Sequence, residues 1–164
     1  MKFNLILIIF TIIILIYISC YFIFPNIVQI LQTNISDFNF SILYTRQPIV
    51  IYDCLKEKEE LINSWFKYNF ITNLNDDYYY DNNWIYNKYK YLFISANNDT
   101  EIIIYKASIY SSIPTENDNI IAIKLNTDQS LILPYRWKYY IKKKEDISIW
   151  GINDIITSFV SFVF

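Results

Sequence analysis

The side chains best placed to move a proton are carboxylates. Asp53, Asp76, Asp77, Asp81, Glu101 and Asp146 are the candidates, and a carboxylate pair can divide general-acid and general-base work without histidine. Asp76, Asp77 and Asp81 lie in an Asn- and Tyr-rich polar stretch, where a solvated surface is the stronger expectation. The chain has no histidine. That removes Ser-His-Asp and Cys-His catalysis, the His-Glu-x-x-His zinc site and the two-His-one-carboxylate iron site together. A single glycine excludes the Gly-rich loops that cradle phosphates or dinucleotides. Of the two cysteines, Cys20 falls in a long apolar run and Cys54 in the body of the chain, so no disulfide framework is expected. Cys54 reads as a small buried hydrophobe. These residues define no catalytic, cofactor-binding or metal site, and neither a cofactor nor an enzymatic role is expected. The net charge of −2 implies no general affinity for nucleic acid.

The elements that would position such residues begin with a membrane span. Leu5 to Phe24 is apolar apart from Thr11 and Ser19, and no charge occurs between Lys2 and Asp37. Twenty helical residues cover about 30 Å, the thickness of a hydrocarbon core, and either hydroxyl can bond back to a carbonyl one turn earlier. The run is too long for a cleaved signal peptide and has no small-residue cleavage site. Lipid attachment at Cys20 fits poorly, because Tyr17 precedes it and Phe22, Ile23 and Phe24 continue the run. An uncleaved single-pass anchor is the reading. Lys2 precedes the run and Arg46 is the first basic residue after it, which places the N-terminus in the cytoplasm by the positive-inside rule. The expected organisation is an anchor over 1–25, a connector over 26–39 and one β-rich domain over 40–164. After Pro25, helical spacing of Ile27, Val28, Ile30 and Leu31 suggests that the helix resumes.

Within the domain, Phe40–Tyr44 suits a short strand or a helical turn. Ile49–Tyr52 is a β-branched run typical of a buried strand. Leu55–Phe66 reads as an amphipathic helix with early acidic residues, capped by Asp53. Asn73–Tyr91 is expected to be a long loop with Trp84 and Ile85 turned inward. Six further strands follow: Tyr91–Ser95, Glu101–Ala107, Asn119–Leu125, Ser130–Leu133, Trp137–Lys142 and Asp146–Trp150. Polar turns separate most of them, the pattern of an antiparallel sandwich or barrel. Lys142, Lys143 and Lys144 read as a solvated turn. Ile152–Phe164 fits a helix or a final strand, is too short to span a bilayer, and is expected to close the core.

Aromatics make up 20% of the chain, and sixteen residues are tyrosine. Ile, Asn, Tyr, Lys and Phe all have AT-rich codons, so genome composition accounts for much of this bias. Asn34, Asn39 and Asn98 stand in Asn-x-Ser/Thr triplets, glycosylation acceptors if the domain is lumenal.

Two stretches share a resemblance. Tyr44-Thr45-Arg46-Gln47-Pro48-Ile49-Val50-Ile51-Tyr52, followed by a helix with Trp65, resembles the entry of cupin-like proteins of the JmjC type. Asp128 to Ile141, with Pro134 and Trp137, resembles their second cupin motif, in which Pro-x-x-Trp precedes a metal-binding histidine. Near Lys138 and Tyr139 that histidine has no counterpart, and neither has the first motif, His-x-Asp/Glu. The resemblance implies a cupin-like jelly roll stripped of its iron and 2-oxoglutarate chemistry. With the anchor and the AT-rich composition, the chain is similar to membrane proteins of large DNA viruses. The expected function is therefore that of a non-enzymatic, membrane-anchored structural protein whose partners are the lipid bilayer and capsid or membrane proteins. The alternatives are a membrane-tethered carboxylate enzyme and a glycosylated receptor or entry ectodomain.

Overall fold

A computed structural model describes residues 2–22, 25, 27–54, 58–74, 84–106, 114, 119–143 and 146–163. The chain is mainly β with a few helices, an α+β protein built on two sheets. Helix α1 is Lys2–Phe22. Strands β1 (Leu31–Asn34) and β2 (Ile49–Tyr52) flank two 3-10 helices, Ile35–Asp37 and Phe40–Thr45. Helix α2 (Lys58–Trp65) leads to β3 (Phe70–Asn73), β4 (Ile85–Tyr86), β5 (Tyr91–Ala96), β6 (Thr100–Lys106) and β7 (Ile120–Leu125). Then come β8 (Ser130–Pro134), β9 (Trp137–Ile141), β10 (Ile147–Asn153) and α3 (Ile155–Val163).

One sheet has six strands in the order β1-β2-β8-β5-β10-β3; the other has four, β4-β9-β6-β7. All pairs are antiparallel except β1 with β2. From β3 onward the chain passes between the sheets at nearly every connection.

Side-chain alternation fills two cores. Val50, Leu92, Ile94, Leu131, Leu133, Ile147 and Ile149 from the larger sheet meet Ile102, Ile104, Ile123, Trp137, Tyr139 and Ile141 from the smaller. The alternate residues Ile49, Ile51, Phe93, Ile132, Trp150 and Ile152 form a second core with Leu43, Cys54, Ile62 and Phe66. The larger sheet is thus buried on both faces, which is why Ile49–Tyr52 is apolar without alternation. In β7, by contrast, Ala122 and Lys124 are exposed between buried Ile123 and Leu125, the pattern of a sheet with one wet face.

Several elements depart from the sequence reading. Residues 31–34, assigned to the connector, form an edge strand paired in register with 49–52, and 27–30 are not helical. Backbone pairing with β2 outcompetes the short helical pattern there. Leu31 and Ile35 instead pack on the second core. Phe40–Thr45 takes the helical alternative, with Asn39 capping the Ser41 N–H. Strand β4 lies within the stretch read as loop, and β3 ends at its first residue, Asn73. Trp84 is half-buried and meets Tyr105 edge-on at 4.7 Å. Residues 55–57 lie outside the described set, as does any capping by Asp53. Asp53 itself is exposed and left-handed, with φ 63°.

The C-terminal stretch divides. Ile152 ends up in β10, and Ile155 onward forms α3. Its inward contact is Thr157, whereas Ile155 is 74% exposed and Phe159 64% exposed. Of the stripe expected to close the core, Ile152 is buried and Ile156 packs on Tyr135, while Ile155 and Phe159 point outward. Among the described residues, no helix is long and apolar enough to cross a membrane. In α1 the described side chains run from residue 5 to 19, about 22 Å of helix.

Candidate functional site

Trp137 and Tyr139 stand on the inward face of β9 and are fully buried. Pro134 ends β8, and Tyr135-Arg136 turns the corner, with Arg136 left-handed at φ 71°. Asn87 clamps this corner from within. Its side-chain amide donates to the carbonyls of Leu133 (2.9 Å) and Pro134 (2.7 Å). Its backbone donates to Trp137 O and accepts from Arg136 N. The resemblance places a metal-binding histidine near Lys138 or Tyr139. The positions hold a lysine over the Tyr105 ring and a buried tyrosine among aliphatic side chains. Without imidazole or a converging carboxylate, this donor set does not fit iron.

The candidate carboxylates that fall among the described residues form no metal-holding cluster. Glu101 is engaged by Lys142, and that hydrogen bond and charge hold its carboxyl below the usual range. Asp146 accepts from Asn98 (2.8 Å), while its carbonyl accepts from the N–H groups of Asn97 and Asn98. Asp76, Asp77 and Asp81 lie outside the described residues. Among the described residues no cluster of three His, Cys, Asp or Glu could hold a metal ion. Lys142 and Lys143 are exposed and share a shallow groove with Glu101 and Lys124; Lys144 lies outside the described set. Cys54 is buried, as its position after β2 dictates, and burial pushes its thiol pKa up.

The densest polar junction uses residues that the sequence reading did not select. The Tyr17 hydroxyl of α1 donates to Asp154 at 2.6 Å. Lys90 donates to the same carboxylate oxygen at 2.7 Å and to the Tyr17 hydroxyl at 3.0 Å. The other Asp154 oxygen accepts from the Thr157 N–H (2.7 Å) and hydroxyl (2.8 Å), capping α3. Burial alone would raise the Asp154 pKa. The bonds from Lys90, Tyr17 and Thr157 outweigh it and hold the carboxyl well below its usual range. Beside the triad, Tyr17, Ile18 and Ile156 pack on Tyr135. An open cleft of about 230 Å³ adjoins it, lined by Tyr17, Leu43, Tyr44, Arg46, Lys90, Tyr91 and Pro134. The junction fastens the end of α1 to the β body and to the start of α3.

No family model, curated protein or solved structure matches the chain.

Proposed function

We propose that this protein is a non-enzymatic, membrane-anchored structural protein, in which α1 enters a bilayer and the β body is held at its surface. One observation carries the reading. From Leu5 to Ile16, α1 presents large apolar side chains to the outside in every direction, including Leu5, Ile6, Ile9, Phe10 and Ile13. A helix apolar all round needs either a protein interior or lipid around it, and among its described side chains Tyr17 and Ile18 pack on Tyr135 of the body. The triad supports a boundary at that level. Tyrosine suits the membrane–water interface, and a Lys–Asp pair drawn deeper would be costly. This sets the lipid-embedded part at residues up to about 16, shorter than the expected Leu5–Phe24 span. From Lys2 to Tyr17 the rise is about 22 Å, a length suited to a thin bilayer.

For the body, the strand order supports a jelly roll of the cupin type. Numbering β3 to β10 as strands one to eight, the sheets read 1-8-3-6 and 2-7-4-5, with β1 and β2 added at one edge. That is the double Greek-key order of a jelly roll. Its interior is packed with Trp137, Tyr139 and aliphatic side chains, which suits a scaffold that binds protein partners through its surface. In a large DNA virus, such a body would link a membrane to capsid or membrane proteins. Alkaline carbonate extraction of membranes containing the full chain tests the anchor. Retention in the membrane pellet is expected, and quantitative release would refute the proposal.

A further inference from the structure

We propose that α3 is a second lipid contact, with the face carrying Ile155 and Phe159 entering the same leaflet that receives α1. This rests on the membrane reading of α1 and extends it to the attitude of the whole body.

Ile155 and Phe159 are four residues apart and therefore share one helix face. Both are exposed, while Thr157 on the opposite side is fully buried and bonded to Asp154. An outward apolar stripe is the reverse of what a helix covering a core requires. The face is not isolated. Its neighbour Ile156 packs on Tyr135, the same ring that Tyr17 and Ile18 cover where α1 leaves its exposed apolar stretch. The apolar surface of α1 and that of α3 thus start from one junction, and the Tyr17–Lys90–Asp154 triad marks its polar boundary. Nine residues make about 13 Å of helix, too short to cross a bilayer. The length suits a helix seated at the headgroup–acyl boundary, where apolar faces bury about 5–10 Å deep. One attachment point leaves the body free to swing; two, joined by a triad, fix its orientation.

Environment-sensitive fluorophores on single cysteines test this in the full chain. The background carries Cys20→Ser and Cys54→Ala, and the label sites are Ile12→Cys, Phe159→Cys and, in α2, exposed Asn63→Cys. Each protein is reconstituted into phosphatidylcholine vesicles with and without nitroxide-labelled phosphatidylcholine, then titrated with aqueous iodide. The expected result is that labels at 12 and 159 lose most of their emission to nitroxide lipid and resist iodide, while the label at 63 does the opposite. Because Phe159 and Ile155 are exposed, neither substitution disturbs the core, and Ile155→Cys repeats the measurement independently. Quenching at 12 with iodide access at 155 and 159 would overturn the role of α3 and leave the α1 anchor standing. Iodide access at 12 as well would overturn both. Shielding of 159 from both quenchers that grows with protein density would replace lipid with a second copy of the chain.

Discussion

Asp154 receives donors from three parts of the chain, and its acidity depends on them. Because its folded pKa lies below the ordinary carboxylate value, the carboxylate's contribution is complete above about pH 4. It is lost as pH falls through that value toward the folded one. Asp154→Asn removes the charge facing Lys90. With both partners about one-fifth exposed, the expected loss is about 1–2 kcal/mol at pH 7. The gap in melting temperature between wild type and variant should narrow on acidification from pH 5 to 3. A constant gap would show that the charge is not what holds the junction. The single glycine gives a second case. A Cβ at Gly151 would lie 2.5 Å from Cδ1 and Cε1 of the Tyr89 ring and 2.7 Å from its Cγ, so that ring, which also packs on the inter-sheet core, would have to move. Gly151→Ala should lose about 1–3 kcal/mol, and adding Tyr89→Ala should recover part of the loss in a double-mutant cycle read by urea unfolding.

At the scale of elements, the strands were legible where apolar runs ended in Asn- and Asp-rich turns. β2 and β5 to β9 lie within a residue or so of the runs that announce them, and β10 extends to Asn153 because Gly151 and Ile152 pair with β3 and β5. β3 and β4 escaped notice because four and two residues leave no period to count amid Asn and Tyr. The junction was illegible for another reason. Tyr17 and Lys90 stand 73 positions apart and Lys90 and Asp154 stand 64 apart, so no local spacing records their meeting. For α3, periodicity revealed the apolar spacing but not that Ile155 and Phe159 within it stay exposed. Trp137, by contrast, stands at the start of a strand that the sequence marks, and it is fully buried. Trp137→Ala should therefore cost about 3–5 kcal/mol of the roughly 5–15 kcal/mol that a domain of this size holds. An unchanged thermal midpoint would place Trp137 outside the core. Within α1, a boundary at Tyr17 predicts that Ser19→Cys reacts with a membrane-impermeant maleimide in vesicles while Ile13→Cys does not. Protection of both would restore the longer span.

The whole molecule couples two kinds of surface through one joint, so removing α1 should do more than detach the body. Deleting residues 1–24 takes away the exposed run that we assign to lipid, and the remaining chain should be released by alkaline carbonate. The deletion also strips Tyr17 and Ile18 from Tyr135, uncovering apolar surface near the already exposed Ile155 and Phe159. A continuous patch of this kind drives association in water. The released body should therefore run as oligomers in size-exclusion chromatography, although Lys90 still pairs with Asp154. Two further chains separate the contributions. A deletion of residues 1–16 keeps Tyr17 and Ile18 over their partners and should associate less. Adding Ile155→Ser and Phe159→Ser to the longer deletion removes the α3 stripe and should return most of the protein to monomer. If the longer deletion stays in the carbonate pellet, α1 is not the attachment and α3 becomes the principal candidate. If it is released and monomeric without the serines, the face of α3 is tolerated in water, and the body needs no second contact with the bilayer.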